Sequence, residues 1–549
     1  MTEKIDTNFW MNDAGALPKV VRGRQGAVAA EHPLAAAAGL NVLQSGGNAA
    51  DAVLAMAAVT GVVQPMMCGL GGDAFLVYYE AASGRFHSLS GSGVAPRGAT
   101  RDFFARQGYA TMPLAGILAA AVPGAVAAYA RIAERFGTRP LAELFAPAVH
   151  YAREGFPVSA ALNYHMTENR EKLRTFPATA AIFLRDGEPY RPGDILVQRD
   201  LAASLEKVAR EGEAAFYRGE LAAAFLRCSD ASGGLFAPED LAEHVTEVEA
   251  PLAVDYRGYT VYVPPPASQG FILLEMLNLL EGFDLGELAP GSAAAVHLIA
   301  EAKKLAYADR LRYAGDPRFV DFPLSRLLSK EFAAERRPAI DPARVMAAEY
   351  SAEAAGDTTS FVAVDRFGNA ASFIHSLSLA FGCGVTVPGT GILLNNRAGR
   401  GFTLEAGHPN CIAPGKKTLH TLNCYIAARD GRPWLVGGTP GGDGQPQWNA
   451  QILTNIIDFG LDLPAAVTAP RWTSFPGTDP ANQASRLELW IEERAGRTVI
   501  DGLAARGHRM KVLGPWEGGG AVEIIRIDPV TGVLEAYSDP RGEGQALAF

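Results

Sequence analysis

The chain has 549 residues, 48% of them apolar and 20% charged, the balance of a globular protein with enough material for a large core. A net charge of −10 leaves no basic face for nucleic acid or an anionic membrane surface, so any anionic ligand must be met by local positive charge. The five cysteines (Cys68, Cys228, Cys383, Cys411, Cys424) are odd in number and form no CxxC pair, and the ten histidines offer no HxH or HExxH spacing. That pattern suits reduced, buried thiols and gives no support to a metal centre or other cofactor.

In chain order, Met1 to Lys19 mixes charges with Asn, Asp and Gly, lacks an apolar core, and is not read as an export signal; a cytoplasmic protein is expected. His32-Pro33 opens an Ala/Leu-rich helix that Gly46-Gly47 stops, and Asn48 caps a second helix ending near Pro65. Ala74 to Tyr79 reads as a strand, with a turn at Ser83-Gly84 and a return through Leu89. The apolar run Ala115 to Ala130 is broken by Pro123-Gly124 and is too short to span a bilayer. Residues 140 to 350 read as mostly helical, most clearly from the cap Ser292 to Ala314, with Gly315 as stop. After Thr358 the texture changes to three hairpins: Thr359–Asp365 with Ala370–Ser376, Leu422–Ala428 with Trp434–Gly437, and Val522–Ile527 with Val533–Ser538. Strand pairs flanked by helices imply an α+β fold of stacked antiparallel sheets covered by helices.

The chemistry concentrates at Gly356-Asp357-Thr358-Thr359-Ser360, which opens the first of those hairpins. A threonine hydroxyl is a weak nucleophile without a base beside it. One base is its own α-amine, once the preceding peptide bond is cut. Cleavage at Asp357-Thr358 would therefore create the active site, whereas an uncut Thr358 would be an ordinary strand residue. Local chemistry does not rank Thr358 against Thr359.

The blocks around this pair resemble the γ-glutamyltranspeptidase family of N-terminal-nucleophile hydrolases. They include Gly46-Gly47-Asn48-Ala49-Ala50-Asp51-Ala52, Gly69-Leu70-Gly71-Gly72, Asp255-Tyr256-Arg257-Gly258-Tyr259, Tyr307-Ala308-Asp309-Arg310, Gly391 to Asn396, Pro440-Gly441-Gly442 and Ser538-Asp539-Pro540-Arg541, in the family order. The resemblance implies a four-layer αββα sandwich. It also implies self-cleavage into 1–357 and 358–549, two chains interleaved in one domain, with a dimer of such pairs as a further expectation. It selects Thr358 as nucleophile and places Ser376 where the family has a hydroxyl that orients it. Gly441 and Gly442 fall at the oxyanion-hole positions, where backbone N–H groups meet developing negative charge.

The departures from the transpeptidases bear on substrate. The arginine that holds the donor carboxylate there aligns with Ser92, and a Ser-Ser pair reads His420-Thr421. The acidic and amide groups after the Asn-Asn pair are replaced in Asn395-Asn396-Arg397-Ala398-Gly399-Arg400. Guanidinium groups repel an α-ammonium and pair with carboxylates, so Arg397 and Arg400 are expected to clamp an anionic acyl group lacking an amine, lined also by Asn396, His420 and Thr421. Their competing role is plain salt-bridging. His375 is expected to point away. The segment from Phe402 to Lys417 is shorter than the lid of typical transpeptidases, which suggests an open or differently built site. The expected activity is hydrolysis of a small anionic amide such as oxamate, through an ester on Thr358 and without cofactor. Glutaryl-type cephalosporin acylase and glutathione hydrolase or transferase activities are the alternatives, and an uncleaved small-anion binder is the reading from another class.

Overall fold

The computed structural model describes residues 19–346, 357–475 and 487–549. The N-terminal stretch 1–18, Gly356 and the last residues of the expected helical region lie outside them. Among the described residues, one seven-stranded sheet is built from β1 (Gly26–Ala30), β2 (Asp73–Glu80), β3 (Arg85–Gly91), β4 (Val248–Glu249), β5 (Asp357–Asp365), β6 (Ala370–Ser378) and β7 (Gln545–Ala548). Its spatial order is β7-β1-β5-β6-β2-β3-β4, antiparallel throughout, so β5 is central. A second seven-stranded sheet runs Val21–Gly23, Leu534–Ser538, Glu523–Ile527, Arg432–Gly438, Tyr425–Arg429, Tyr259–Val263, Leu252–Tyr256.

Alternation along the strands separates three apolar layers. On β5, Val362 and Val364 join Ile374, Phe75 and Val77 to face Ile426, Val436 and Ile525 of the second sheet. Phe361 and Ala363 face the other way, under α1 (Pro33–Gln44) and α2 (Ala49–Val63). The outer face of the second sheet, with Tyr425, Leu435 and Ile524, is covered by α3 (Gly270–Leu280), α4 (Ala293–Tyr313) and α5 (Gln445–Ile457). Helix, sheet, sheet, helix is the αββα sandwich expected.

Both early helices begin where their caps require. The His32 side chain accepts the Leu34 N–H at 3.2 Å. Asn48 and Asp51 close a reciprocal capping box, and the second Asp51 oxygen takes the N–H groups of Thr138 and Arg139. Small residues let the two helices touch: a Cβ on Gly39 would stand 2.7 Å from Met56.

The described residues between 140 and 346 are mostly helical, as expected, with a strand pair that the expectation lacked. The stretch read as mostly helical contains the hairpin Leu252–Tyr256/Tyr259–Val263, which completes the second sheet. Its two-residue turn puts Arg257 at φ 53° and Gly258 at φ 83°, the paired positive φ that matches strand twist in a tight hairpin. The Tyr-Arg-Gly-Tyr segment carries that turn, and Val254, Val261 and Val263 supply the buried alternation. The five cysteines are free; four are buried and Cys411 is half-buried.

Candidate active site

The two threonines part company on β5. Thr358 Oγ1 donates to Ser376 Oγ at 3.2 Å, whereas Thr359 Oγ1 points to Gln64 Oε1 at 3.4 Å under α2. Only Thr358 shares the inter-sheet face, with Ser360, Val362 and Val364. The ladder shifts register between Asp357 and Thr359, a local irregularity beside the expected scissile bond. Ser376 is held in turn: its Oγ accepts the Ser378 N–H at 2.8 Å and lies 3.5 Å from Arg397 Nη2. Thr358 and Ser376 are fully buried.

Asp73 pairs with Ser376 across β2 and β6, so a polar row Thr358–Ser376–Asp73 crosses three strands at the end of the apolar inter-sheet layer. The sequence reading did not single out Asp73. An acidic residue opening the otherwise apolar strand Asp73–Glu80 was the available signal. Arg397 Nε donates to Asp73 Oδ2 at 3.1 Å, and His420 Nε2 lies 3.5 Å from the same oxygen. All three side chains are buried. An unpaired charge there would cost several kcal/mol, roughly the scale at which a buried pair must be satisfied. Burial pushes the Asp73 carboxyl up to about 6, against the pull of Arg397 and the Gly93 N–H. Burial, with Arg397, Lys417 and Arg400 nearby, drives the His420 pKa far down, so the ring is neutral. That ring packs against Phe75 with centroids 4.9 Å apart.

Arg397 and Arg400, the two expected anion-clamp residues, are both buried beside Ser376 and Ser378. Arg397 is matched by Asp73, and Arg400 Nη1 donates to the Ser378 carbonyl at 2.8 Å. The Asn396 side chain is committed to the main chain, accepting the Leu379 N–H and donating to the Leu114 carbonyl, each at 3.0 Å. Thr421 and His420 do lie at the site: the Thr421 carbonyl accepts from Gln269 Nε2, and its buried hydroxyl has no hydrogen-bond partner among the described residues. Ser92 is fully buried, just past the end of β3. His375 faces the helical layer as expected, 3.1 Å from the Gly69 carbonyl and against Tyr129, and burial lowers its pKa to about 3. The short Phe402–Lys417 segment folds on itself through Thr403, Asn410 and Ile412, and Lys416 Nζ bonds Pro409 and Cys411 carbonyls. The site is differently built rather than open.

The glycines come from the second sheet. The strand Arg432–Gly438 crosses the first sheet where a Cβ on Gly438 would stand 2.3 Å from Ser360 Oγ, and the chain then turns through Pro440. Gly441 has φ 114° and Gly442 φ 55°, and a Cβ on Gly441 would lie 2.1 Å from the Trp448 ring. Both strain and space exclude a side chain. The turn is braced: Gln269 Nε2 donates to the Gly442 carbonyl at 2.9 Å and Arg310 pairs with Asp443 at 2.6 Å. A second missed group is Glu31, whose Oε1 accepts the Ser360 N–H at 2.7 Å and whose carboxyl is pushed well up by burial.

An αββα sandwich with a threonine at the head of a central strand, facing the space between the sheets, defines the class of N-terminal-nucleophile hydrolases, which act on amide bonds. The γ-glutamyltranspeptidase family model matches residues 35–549, and the chain belongs to that family. It is 38% identical over 534 residues to a glutathione hydrolase-like YwrD proenzyme of Bacillus subtilis, covering 97% of this chain and 100% of that one. To an oxamate amidohydrolase proenzyme of Klebsiella pneumoniae it is 35% identical over 533 residues, covering 95% and 98%. The crystal structure of a cephalosporin acylase from Bacillus halodurans superposes with a TM-score of 0.91 at 35% identity, covering 98% of each chain.

Proposed function

We propose that the protein cuts itself at Asp357-Thr358 and then hydrolyses the monoamide of a dicarboxylic acid through an ester on Thr358. Oxamate is the shortest member of that substrate class and glutaryl amides are longer ones. The observation that carries this reading is the 3.2 Å bond from Thr358 Oγ1 to Ser376 Oγ on the inter-sheet face, which Thr359 does not share.

In self-cleavage the Thr358 hydroxyl attacks the Asp357 carbonyl, and the C–N bond breaks to leave an ester and a free α-amine. Water opens the ester, leaving a carboxylate at Asp357. The amine, with an ordinary pKa of about 8, then takes the hydroxyl proton as Oγ1 attacks the substrate amide. Ser376 fixes the direction of Oγ1, and the N–H groups of Gly441 and Gly442 would stabilise the oxyanion. The leaving amine departs with the proton, and water releases the acid. Arg397 takes Asp73 Oδ2, so the carboxylate nearest Ser376 is already paired with a guanidinium and offers a bound α-ammonium less negative charge. That supports an acyl group without an amine over a γ-glutamyl group.

Intact mass under denaturing conditions comes first: two chains of 1–357 and 358–549 are expected, and a single chain in Thr358→Ala. A wild-type protein that stays whole would favour the uncleaved anion binder. On the processed protein, ammonia from oxamate or acid from a glutaryl amide is expected, with little glutamate from glutathione. Glutamate alone would move the reading to a glutathione hydrolase.

A further inference from the structure

The turn that carries Gly441 and Gly442 lies after Thr358 in the chain, yet side chains from before the expected cut hold it. Gln269, the N-cap residue of α3, is fully buried and donates from one nitrogen to two carbonyls. Its Nε2 lies 2.5 Å from the Thr421 oxygen and 2.9 Å from the Gly442 oxygen. From α4, Arg310 pairs with Asp443 at 2.6 Å, and the Tyr307 hydroxyl donates to the Asp443 carbonyl. The segment ending in Gln269 runs beside His420–Leu422. There the His420 N–H donates to the Ala267 carbonyl and Ser268 Oγ to the Leu422 carbonyl, each at 2.6 Å.

Both neighbours of the Gln269 amide nitrogen are acceptors, which fixes the amide with Nε2 towards them. Its Oε1 is buried without a hydrogen-bond partner among the described residues, so the two carbonyls alone account for the orientation. Within the turn, the Gly444 N–H takes the Gly441 carbonyl at 2.9 Å. In a planar trans peptide that aims the Gly442 N–H the opposite way, out of the turn. The Gly442 carbonyl, which also accepts the Gln445 N–H, belongs to the next peptide unit, and Gln269 ties that unit to Thr421.

We propose that Gln269 is a positioning residue that sets the Gly441 and Gly442 N–H groups against the Thr421 side of the site, across the cut. The proposal rests on the hydrolase reading above. Gln269 acts through the turn, so its effect falls on the transition state, where the oxyanion forms, rather than on substrate binding.

The test uses two variants. Gln269→Met keeps the length and removes both donors. Gln269→Glu keeps the shape; its neutral carboxyl has one O–H to give and its carboxylate has none. Oxamate and glutaryl p-nitroanilide are both assayed once intact mass confirms processing, and the faster substrate is carried through. In Gln269→Met, kcat is expected to fall roughly 10- to 100-fold with KM within about twofold of wild type. In Gln269→Glu, kcat relative to wild type is expected to rise towards acid pH as the carboxyl takes its proton. His420, Asp73 with Arg397, and Asp443 with Arg310 flank the two carbonyls in both enzymes, so the ratio removes their titrations.

A kcat within about twofold of wild type in Gln269→Met overturns the proposal, as does a loss carried by KM alone or a flat Gln269→Glu ratio. The hydrolase reading survives all three. Should Gln269→Glu not fold, the split between kcat and KM in Gln269→Met decides. Variants that fold but stay uncleaved also overturn it, by placing Gln269 in maturation instead of turnover. A processed wild type that hydrolyses no amide takes both readings down.

Discussion

Thr358 and Thr359 carry the same hydroxyl one residue apart, and strand alternation sends them to opposite faces of the sheet. Ser376→Ala is expected to lower kcat by roughly 10- to 100-fold with slower self-cleavage, and Ser376→Thr to retain both, read by time-resolved intact mass and steady-state kinetics. Asp73 gives a pH signature. Its carboxyl sits at about 6 in the fold, against 3.8 ordinarily, so between those values the folded state holds a proton that the unfolded state has lost. This group therefore favours folding fully below pH 3.8, and that contribution fades as pH rises through 6. For activity, protonation below pH 6 uncouples Arg397 from Asp73, so kcat/KM is expected to fall along an acid limb near pH 6. That limb should vanish in Asp73→Asn, at a lower plateau; a limb that persists unmoved assigns it to another group. The hydroxyls at this site were legible from their neighbours in sequence. The Asp73–Arg397 pair was not, because it joins residues 324 positions apart and each looks ordinary alone.

At the scale of elements, two small motifs hold the frame. The turn through Gly441 combines φ 114° with a ring where a Cβ would go, so Gly441→Ala is expected to cost about 1–3 kcal/mol in a denaturant titration and to cut kcat beyond what lost stability explains. At the opposite end of the helical layer, Asp51 satisfies N–H groups of Asn48, Thr138 and Arg139. Asp51→Ala leaves those donors without it and is expected to cost about 3 kcal/mol or more, seen as a lowered Tm. The caps His32, Asn48 and Ser292 were readable from sequence because capping chemistry is local. The hairpin at Arg257-Gly258 was passed over because an Arg in the left-handed region is rare and only the pairing partner, Tyr425–Arg429, makes the strand necessary.

In the whole molecule, the alternating apolar runs made two stacked sheets visible, since period 2 survives without knowing which strand pairs with which. Strand order beyond the hairpins was not visible, because the other neighbour of β5 comes from residues 26–30. A cut before Thr358 would leave β1, β2, β3 and β4 on one piece and β5, β6 and β7 on the other, with β1 lying between β7 and β5. The processed protein is expected to elute as one species under native conditions and to separate only in denaturant; a small fragment that dissociates freely would rule out this interleaving as the bond between them. The same strand order gives the enzyme a one-way history. The precursor finds its fold within a single tethered chain, but a cut molecule that melts must find a lost partner by diffusion. Recovery after heating should thus be independent of protein concentration for Thr358→Ala and rise with concentration for the mature form, so that dilution erases one and spares the other.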